Sequence, residues 1–246
     1  MSEVTKKTPI ICVKGDEKKR VDDIVIREAH VAVYIEETQV LSAPCLDRDR
    51  ESFVYGALYI QKGIFPEDVA RIEWKGLTAF VYLHEDCSPA DSTLALVRTP
   101  MEPCFSAAEV NTSVRRFQKL STLFKETGAV HVAALCRGDE ILDWKEDLSR
   151  RTAIDKVVGG CLLSEKSNSG KNKKRGEALE NCFLITSGRI SNDIAVRAVR
   201  IGVPLIVSVA PPSDRAVETA HKYRLTLVGF ARPPKMNIYT HSVRIS

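Results

Sequence analysis

The chain is short of the features that announce most enzyme classes. None of its apolar runs approaches the roughly 20 residues that a membrane-spanning helix needs. Near the start only Ile10, Ile11, Cys12 and Val13 stand where a secretory signal would carry a longer apolar stretch, so a cytoplasmic location is expected. The seven cysteines are odd in number, scattered, and never paired at two-residue spacing, which argues against a disulfide framework and a zinc ribbon. There is no glycine-rich loop ending in Lys-Ser or Lys-Thr and no GxGxxG, so a motor-type nucleotidase or a standard dinucleotide fold has no support. No HxE with a later PCxxC is present either, and zinc deaminase chemistry is excluded with it. Charge of one sign is also lacking: 36 Lys and Arg stand against 32 Asp and Glu. A net charge of +4 gives no argument for a nucleic-acid or membrane partner.

What is present is enough apolar material, 44% of the residues, to build a proper core. Three divisions are expected. Residues 1–22 are polar and charged and read as an unstructured segment. Residues 23–103 read as an antiparallel, β-rich part, with strands within 24–35 and over 69–74, 77–84 and 93–98, and a helix over 49–61 stopped by Gly63. Two prolines in RTPMEPC then mark a loop that carries Cys104.

Residues 104–246 read as an α/β domain. Ser106 and Glu109 have capping-box spacing, and Val110, Val114, Phe117, Leu120 and Phe124 recur at helical intervals, predicting one helix ending at Gly128. Strands over 129–135 and 140–144, a helix over 151–163, and then strand 182–186, helix 191–200, strand 205–209, helix 213–223 and strand 225–230 follow. Such alternation predicts crossover connections and a mixed, largely parallel sheet. Between them, residues 164–177 (SEKSNSGKNKKRGE) read as a mobile basic loop, either simply solvated or in contact with a phosphate or a partner.

In parallel α/β sheets ligands bind beyond the carboxyl ends of the strands, where helix N-termini offer free N–H groups. Three strand exits are informative: Ser187-Gly188-Arg189, Ala210-Pro211-Pro212-Ser213, and Ala231-Arg232-Pro233-Pro234-Lys235. Two carry a guanidinium able to grip a phosphate through paired hydrogen bonds, so an anion-binding edge is expected, as against ordinary turns and caps. His131, alone among Ala129, Val130, Val132, Ala133, Ala134 and Leu135, is either a satisfied core histidine or a group facing a cleft. Cys104 is the candidate nucleophile. It precedes a capped helix whose positive end would favour the thiolate; the alternative is a cysteine with no chemical role.

Five segments together carry a resemblance: YGALYIQKGIF, TGAVHVAAL, EDLSRRTAIDKVVGG, SGRISNDIAVRAVRIGVPLIVS and AVETAHKYRLTLVGFARPPKMNIYTH. From about Ile24 to the C-terminus the chain resembles the formate dehydrogenase accessory (FdhD) family. The resemblance implies a cytidine-deaminase-like three-layer fold without the zinc, and a homodimer. It implies a sulfurtransferase that takes sulfur from a cysteine desulfurase, holds it as a persulfide, and passes it to the molybdenum bis-guanine-dinucleotide cofactor for formate dehydrogenase. That cofactor is a bound substrate, with no protein-ligated metal. Phe230, Ala231, Arg232, Pro233, Pro234 and Lys235 match the family's cofactor-contacting loop, Ser187, Gly188 and Arg189 its Ser-Gly-Arg signature, and His131 its motif histidine. The family's Cys-Gly-x-Cys relay loop is incomplete: MEPCFSAAEV has Cys104 alone, in the first position with Ala107 in the second, or in the second with Met101 in the first. The family's Arg-His-Asn is Arg150, Arg151 and Thr152. The alternative expectation is accordingly a cofactor-binding chaperone that has lost sulfur transfer.

Overall fold

The computed structural model describes residues 4–85, 87, 105–168 and 176–246. Cys104 and the strand expected over 93–98 lie outside these residues.

The chain opens with a hairpin, β1 (Thr5–Lys14) and β2 (Glu17–Ile26), where an unstructured segment was expected. Its turn is the two-residue Gly15-Asp16, with Gly15 at φ 61, the geometry that matches the twist of paired strands. Only the base of the hairpin is anchored: Val4 packs with Leu46, Leu123 and Val130, and the Arg27 N–H donates to the Val4 carbonyl at 2.9 Å.

Strands β3 (Glu28–Ile35), β4 (Thr38–Leu46), β5 (Val69–Lys75) and β6 (Thr78–Leu83) form a four-stranded sheet of order β4-β3-β6-β5. It is antiparallel except for β3 beside β6. Its inner face, with Val31, Val33, Ala79 and Val81, packs on Phe53, Val54 and Ala57 of α1 (Arg50–Lys62). Gly63 ends that helix in the left-handed region, as the sequence predicts.

The predicted helix to Gly128 is two helices, α2 (Ala107–Phe117) and α3 (Thr122–Thr127). Ser106 and Glu109 form the expected capping box on α2. The break arises at Ser121, whose hydroxyl caps α3 by accepting the Phe124 N–H at 2.8 Å, and so starts a new helix. Next come β7 (His131–Arg137), β8 (Glu140–Asp147), α4 (Arg150–Asn168), β9 (Phe183–Thr186), α5 (Asn192–Ile201), β10 (Leu205–Ser208), α6 (Asp214–Tyr223), β11 (Thr226–Arg232) and β12 (Lys235–Ile238). α4 is longer than expected: residues 164–168 of the anticipated basic loop continue the helix, and Glu177–Leu179 forms a 3-10 turn.

The six strands take the order β12-β11-β10-β9-β7-β8. β9, β10 and β11 are parallel, and β7, β8 and β12 are antiparallel to their neighbours. The sheet is therefore mixed, with a smaller parallel share than the strand–helix alternation implies. Alternate residues divide between its faces. Ala133, Leu135, Leu184, Ile206 and Leu227 pack against α4, α5 and α6, while Val132, Ala134, Ile185, Val207 and Val228 pack against α2. Helices on both faces make three layers, with α1 and the N-terminal sheet stacked outside α4.

That stacking is unusually close. A methyl group on Gly56 of α1 would overlap the Asp155 carbonyl oxygen, and one on Gly159 of α4 would overlap the Ser52 carbonyl oxygen. The two helices cross backbone to backbone, which only hydrogen side chains permit. Beside the crossing, the fully buried Lys156 ammonium pairs with Asp147 at 2.7 Å and donates to the carbonyls of Leu46 at 3.1 Å and Arg48 at 2.6 Å.

Candidate functional site

The parallel register sets three strand exits side by side. Ser208 of β10 pairs with Thr186 of β9, and Val207 with Val228 of β11, so all three chains leave the sheet at one edge. β7 runs antiparallel to β9, which brings its first residue, His131, to the same edge, and β8 returns there at Asp147 opposite His131. The site residues expected from sequence, apart from Cys104, thus come together.

The exits are tied to one another by hydrogen bonds. The buried Ser208 hydroxyl donates to the Gly188 carbonyl at 2.7 Å and accepts the Ala210 N–H at 3.0 Å. The Ile190 N–H donates to the Pro211 carbonyl at 3.2 Å, and the Phe230 N–H to the Ala210 carbonyl at 3.3 Å. Because β10 lies between β9 and β11, Arg189 and Arg232 flank the exit of β10. Both are exposed.

The loop from Phe230 is a bulged strand end. Phe230 adopts φ 50, a left-handed conformation that an aromatic residue rarely accepts and that costs on the order of 1–3 kcal/mol. Bulges re-aim side chains at strand ends. Here Ala231 turns inward and is buried while Arg232 turns out, its guanidinium carbon 5.9 Å from the Phe230 ring centre. Pro233 and Pro234 make the turn, and Lys235 pairs in register with Arg232, so two cations sit across one tight loop.

On the β9 side, the Ser187 N–H donates to the Val132 carbonyl at 3.0 Å and the Ser187 hydroxyl accepts the Val132 N–H at 2.9 Å. Gly188 is needed for close approach: a methyl group there would lie 3.2 Å from both the Arg150 Cδ and the His131 Nδ1. His131 is half-buried, lines a cavity of about 350 Å³, and has no hydrogen-bond partner among the described residues, so it faces a cleft. Burial, and then the neighbouring Arg150 cation, hold its pKa below the ordinary imidazole value. The ring is therefore neutral near pH 7, a proton acceptor or a weak donor rather than a cation.

In the sequence Arg150 stands out only as a match to a family motif and Phe124 only as a helix-face residue, and Gln118 does not stand out at all. Arg151 is engaged with Asp193 at 2.5 Å, whereas the Arg150 side chain makes no hydrogen bond or ion pair among the described residues and lies against Gly188 and His131. The signal available was the paired arginine at the start of α4.

The thiols divide sharply. Burial pushes Cys45 up to about 11 and Cys136 and Cys161 up to about 12, and it raises Cys182 as well. Burial thus disfavours the thiolate, the nucleophilic form, at all four. Cys87 is half-buried and donates to Asp68 at 3.0 Å, and Cys12 is exposed on the hairpin. No group of three or more His, Cys, Asp or Glu arranged to hold a metal ion is found among the described residues. No helix among them is long and apolar enough to cross a membrane.

Residues 89–246 match the model of the FdhD/NarQ family. The chain is 31% identical over 251 residues to the sulfur carrier protein FdhD of Wolinella succinogenes, covering 91% of this chain and 83% of that one. It is 28% identical over 258 residues to the protein of the same name from Halalkalibacterium halodurans, covering 91% and 89%. A crystal structure of a protein assigned as a formate dehydrogenase accessory protein from Desulfotalea psychrophila superposes with a TM-score of 0.80 at 25% identity, covering 99% of this chain and 100% of the other.

Proposed function

Because the chain belongs to the FdhD/NarQ family, we propose that it is a sulfur carrier for the maturation of formate dehydrogenase, acting in the cytoplasm as a homodimer. The observation that carries this reading is the shared edge at which Arg189 and Arg232 flank the exit of β10. Phosphates need fixed donors around a mouth open to solvent. Arg189, Arg232 and Lys235 supply the cations, and the start of α5, just past Arg189, supplies free N–H groups and a partial positive charge. A guanine-dinucleotide molybdenum cofactor, carried as substrate, presents that kind of anion. Ser187, His131, Phe230, Pro233 and Pro234 line its approach, with the buried Gly188 and Ala231 holding the backbone between them.

Cys104 is the sulfur-bearing residue in this reading. Its thiolate attacks the outer sulfur of a persulfide on a cysteine desulfurase; the donor's S–S bond breaks, the donor leaves as thiolate, and a persulfide forms on Cys104. The four raised thiols support the assignment by leaving few alternatives. The absence of a second cysteine from MEPCFSAAEV favours a second reading, a cofactor-binding chaperone without transfer.

Incubation with a cysteine desulfurase, cysteine and a persulfide-trapping reagent, followed by mass spectrometry, decides between them. Label on Cys104 that disappears in Cys104→Ser supports transfer. Thermal protection by guanine nucleotides with no cysteine labelled establishes the chaperone. Unchanged nucleotide affinity in both Arg189→Ala and Arg232→Ala refutes the site.

A further inference from the structure

The hairpin of β1 and β2 is a sheet of two strands with no neighbouring strand on either side among the described residues. A lone two-stranded hairpin is marginal in water, and further strands or a covered face are what make such a unit stable. Its two edges differ. The Arg27 N–H donates to the Val4 carbonyl, which fixes the phase of the ladder: Thr8 with Asp23, Ile10 with Val21 and Cys12 with Lys19 exchange their backbone bonds inside the hairpin. Pro9 then occupies a position whose N–H would point outward, and a proline there blunts the β1 edge. Along β2 the outward positions are Lys18, Arg20, Asp22 and Ile24, each with an N–H. The Ile24 N–H donates to the adjacent Asp23 carboxylate at 2.8 Å, as a group beyond the reach of β1 would. The β2 edge is thus open to another strand.

Its charges say which strand fits. Residues 18–24, KKRVDDI, carry cations before Val21 and carboxylates after it. Two such strands laid antiparallel about Val21 set Arg20 opposite the partner's Asp22 and Lys19 opposite the partner's Asp23, and symmetry repeats both pairs. Sliding by two residues, the smallest shift that keeps the outward groups in phase, sets Arg20 against the partner's Arg20 or Asp22 against the partner's Asp22. Opposite charges directly across a ladder stabilise it and like charges destabilise it, so one register is selected. Lys19, Arg20, Asp22 and Asp23 are all exposed, and none forms an ion pair among the described residues. The same register extends the Ile10–Val21 pair into an apolar row, because Val21 meets the partner's Val21 on that face.

We propose that the β2 edge is a docking surface for a second copy of this chain, the two β2 strands pairing antiparallel about Val21 to complete a four-stranded sheet. The inference rests on the proposed function only for the homodimer, whose contact it names. Because the contact is made largely by exposed charges, it weakens as salt is added.

The test is sedimentation of the full chain over a range of concentrations. The parent should dimerise, with a dissociation constant that rises with salt. Lys19→Glu with Arg20→Glu sets like charges across the ladder, and so does Asp22→Lys with Asp23→Lys. Each of these variants should dimerise about tenfold or more weakly than the parent. Mixed in equal amounts, the two regain opposite charge at every pair and should form a heterodimer as tight as the parent dimer, a recovery that misfolded arms could not give. A parent that stays monomeric overturns the inference and the homodimer together. Reversed variants that dimerise as the parent does overturn the inference and leave the homodimer to another surface. A mixture that stays dissociated refutes the register.

Discussion

Lys156 and Asp147 form an ion pair with an Nζ–Oδ2 separation of 2.7 Å in which neither side chain is reached by solvent. The pair spans β8 and α4, and through the Leu46 N–H, which donates to Asp147 at 3.0 Å, and the Leu46 and Arg48 carbonyls it also binds the end of β4. Every polar atom named has a partner, which is the condition under which buried charge is tolerated. Lys156→Met should therefore lower unfolding stability by about 3–5 kcal/mol, because Asp147 is left as an uncompensated buried charge. Adding Asp147→Leu should restore part of the loss. Urea denaturation of the two variants checks this, and a double variant no better than the single one rules out the ion pair as the source of the effect.

Gly159→Ala should be strongly destabilising, by about 1–3 kcal/mol or more, since the added methyl meets backbone, which cannot rotate away. Gly128→Ala is the comparison, with no atom within 4 Å of the new methyl and only the left-handed φ of 64 to penalise it. Equal melting temperatures for Gly159→Ala and the parent would show that the helices do not cross as closely as described.

Burial pushes the Asp155 carboxyl up to about 7, against the pull of Arg197 at 2.9 Å and with nearby Asp147 adding to the rise. A carboxyl raised on folding binds more protons in the native state than in the unfolded one, where its pKa is about 3.9. Its contribution is full below the unfolded value and is lost as pH rises through the folded one. The stability advantage of the parent over Asp155→Asn should thus shrink between pH 5 and pH 8. An advantage that is constant or grows across that range would mean that the carboxyl is ionised throughout.

The His131 imidazole should titrate by NMR with a midpoint below the ordinary value of about 6.5. Arg150→Met should raise the midpoint without bringing it to 6.5, since burial, the larger cause, stays. A midpoint at or above 6.5 in the parent would place the ring in solvent.

Brief alkylation of the native protein should modify Cys12 and spare Cys45, Cys136, Cys161 and Cys182. Rapid labelling of any of those four would remove the elimination argument behind Cys104.

The strand–helix alternation from Phe183 onward was legible because each helix has its own apolar stripe and Gly202 stops α5. The strand exits followed from topology alone, so Arg189 and Arg232 could be assigned to one edge before any coordinates. The hairpin at Gly15-Asp16 was missed because its residues are mostly charged and exposed, although a Gly-Asp pair between two such runs is itself a turn signal. The α2–α3 break was hidden because Leu120 and Phe124 keep the helical interval across it, and only the Ser121 cap reveals the corner. The cavity beside His131 could not be read from spacing, since Gln118 and Ser187 meet only after β7 and β9 have paired.

The Gly56–Gly159 contact leaves no room for lubricating side chains between the two halves of the molecule. α1 and its sheet can neither slide nor roll along α4; they can only stay seated or lift away entirely. A rearrangement that keeps the two helices seated is therefore limited to parts of the molecule that do not cross that contact, the loops at the sheet edge among them, while one that moves α1 must lift it off as a unit.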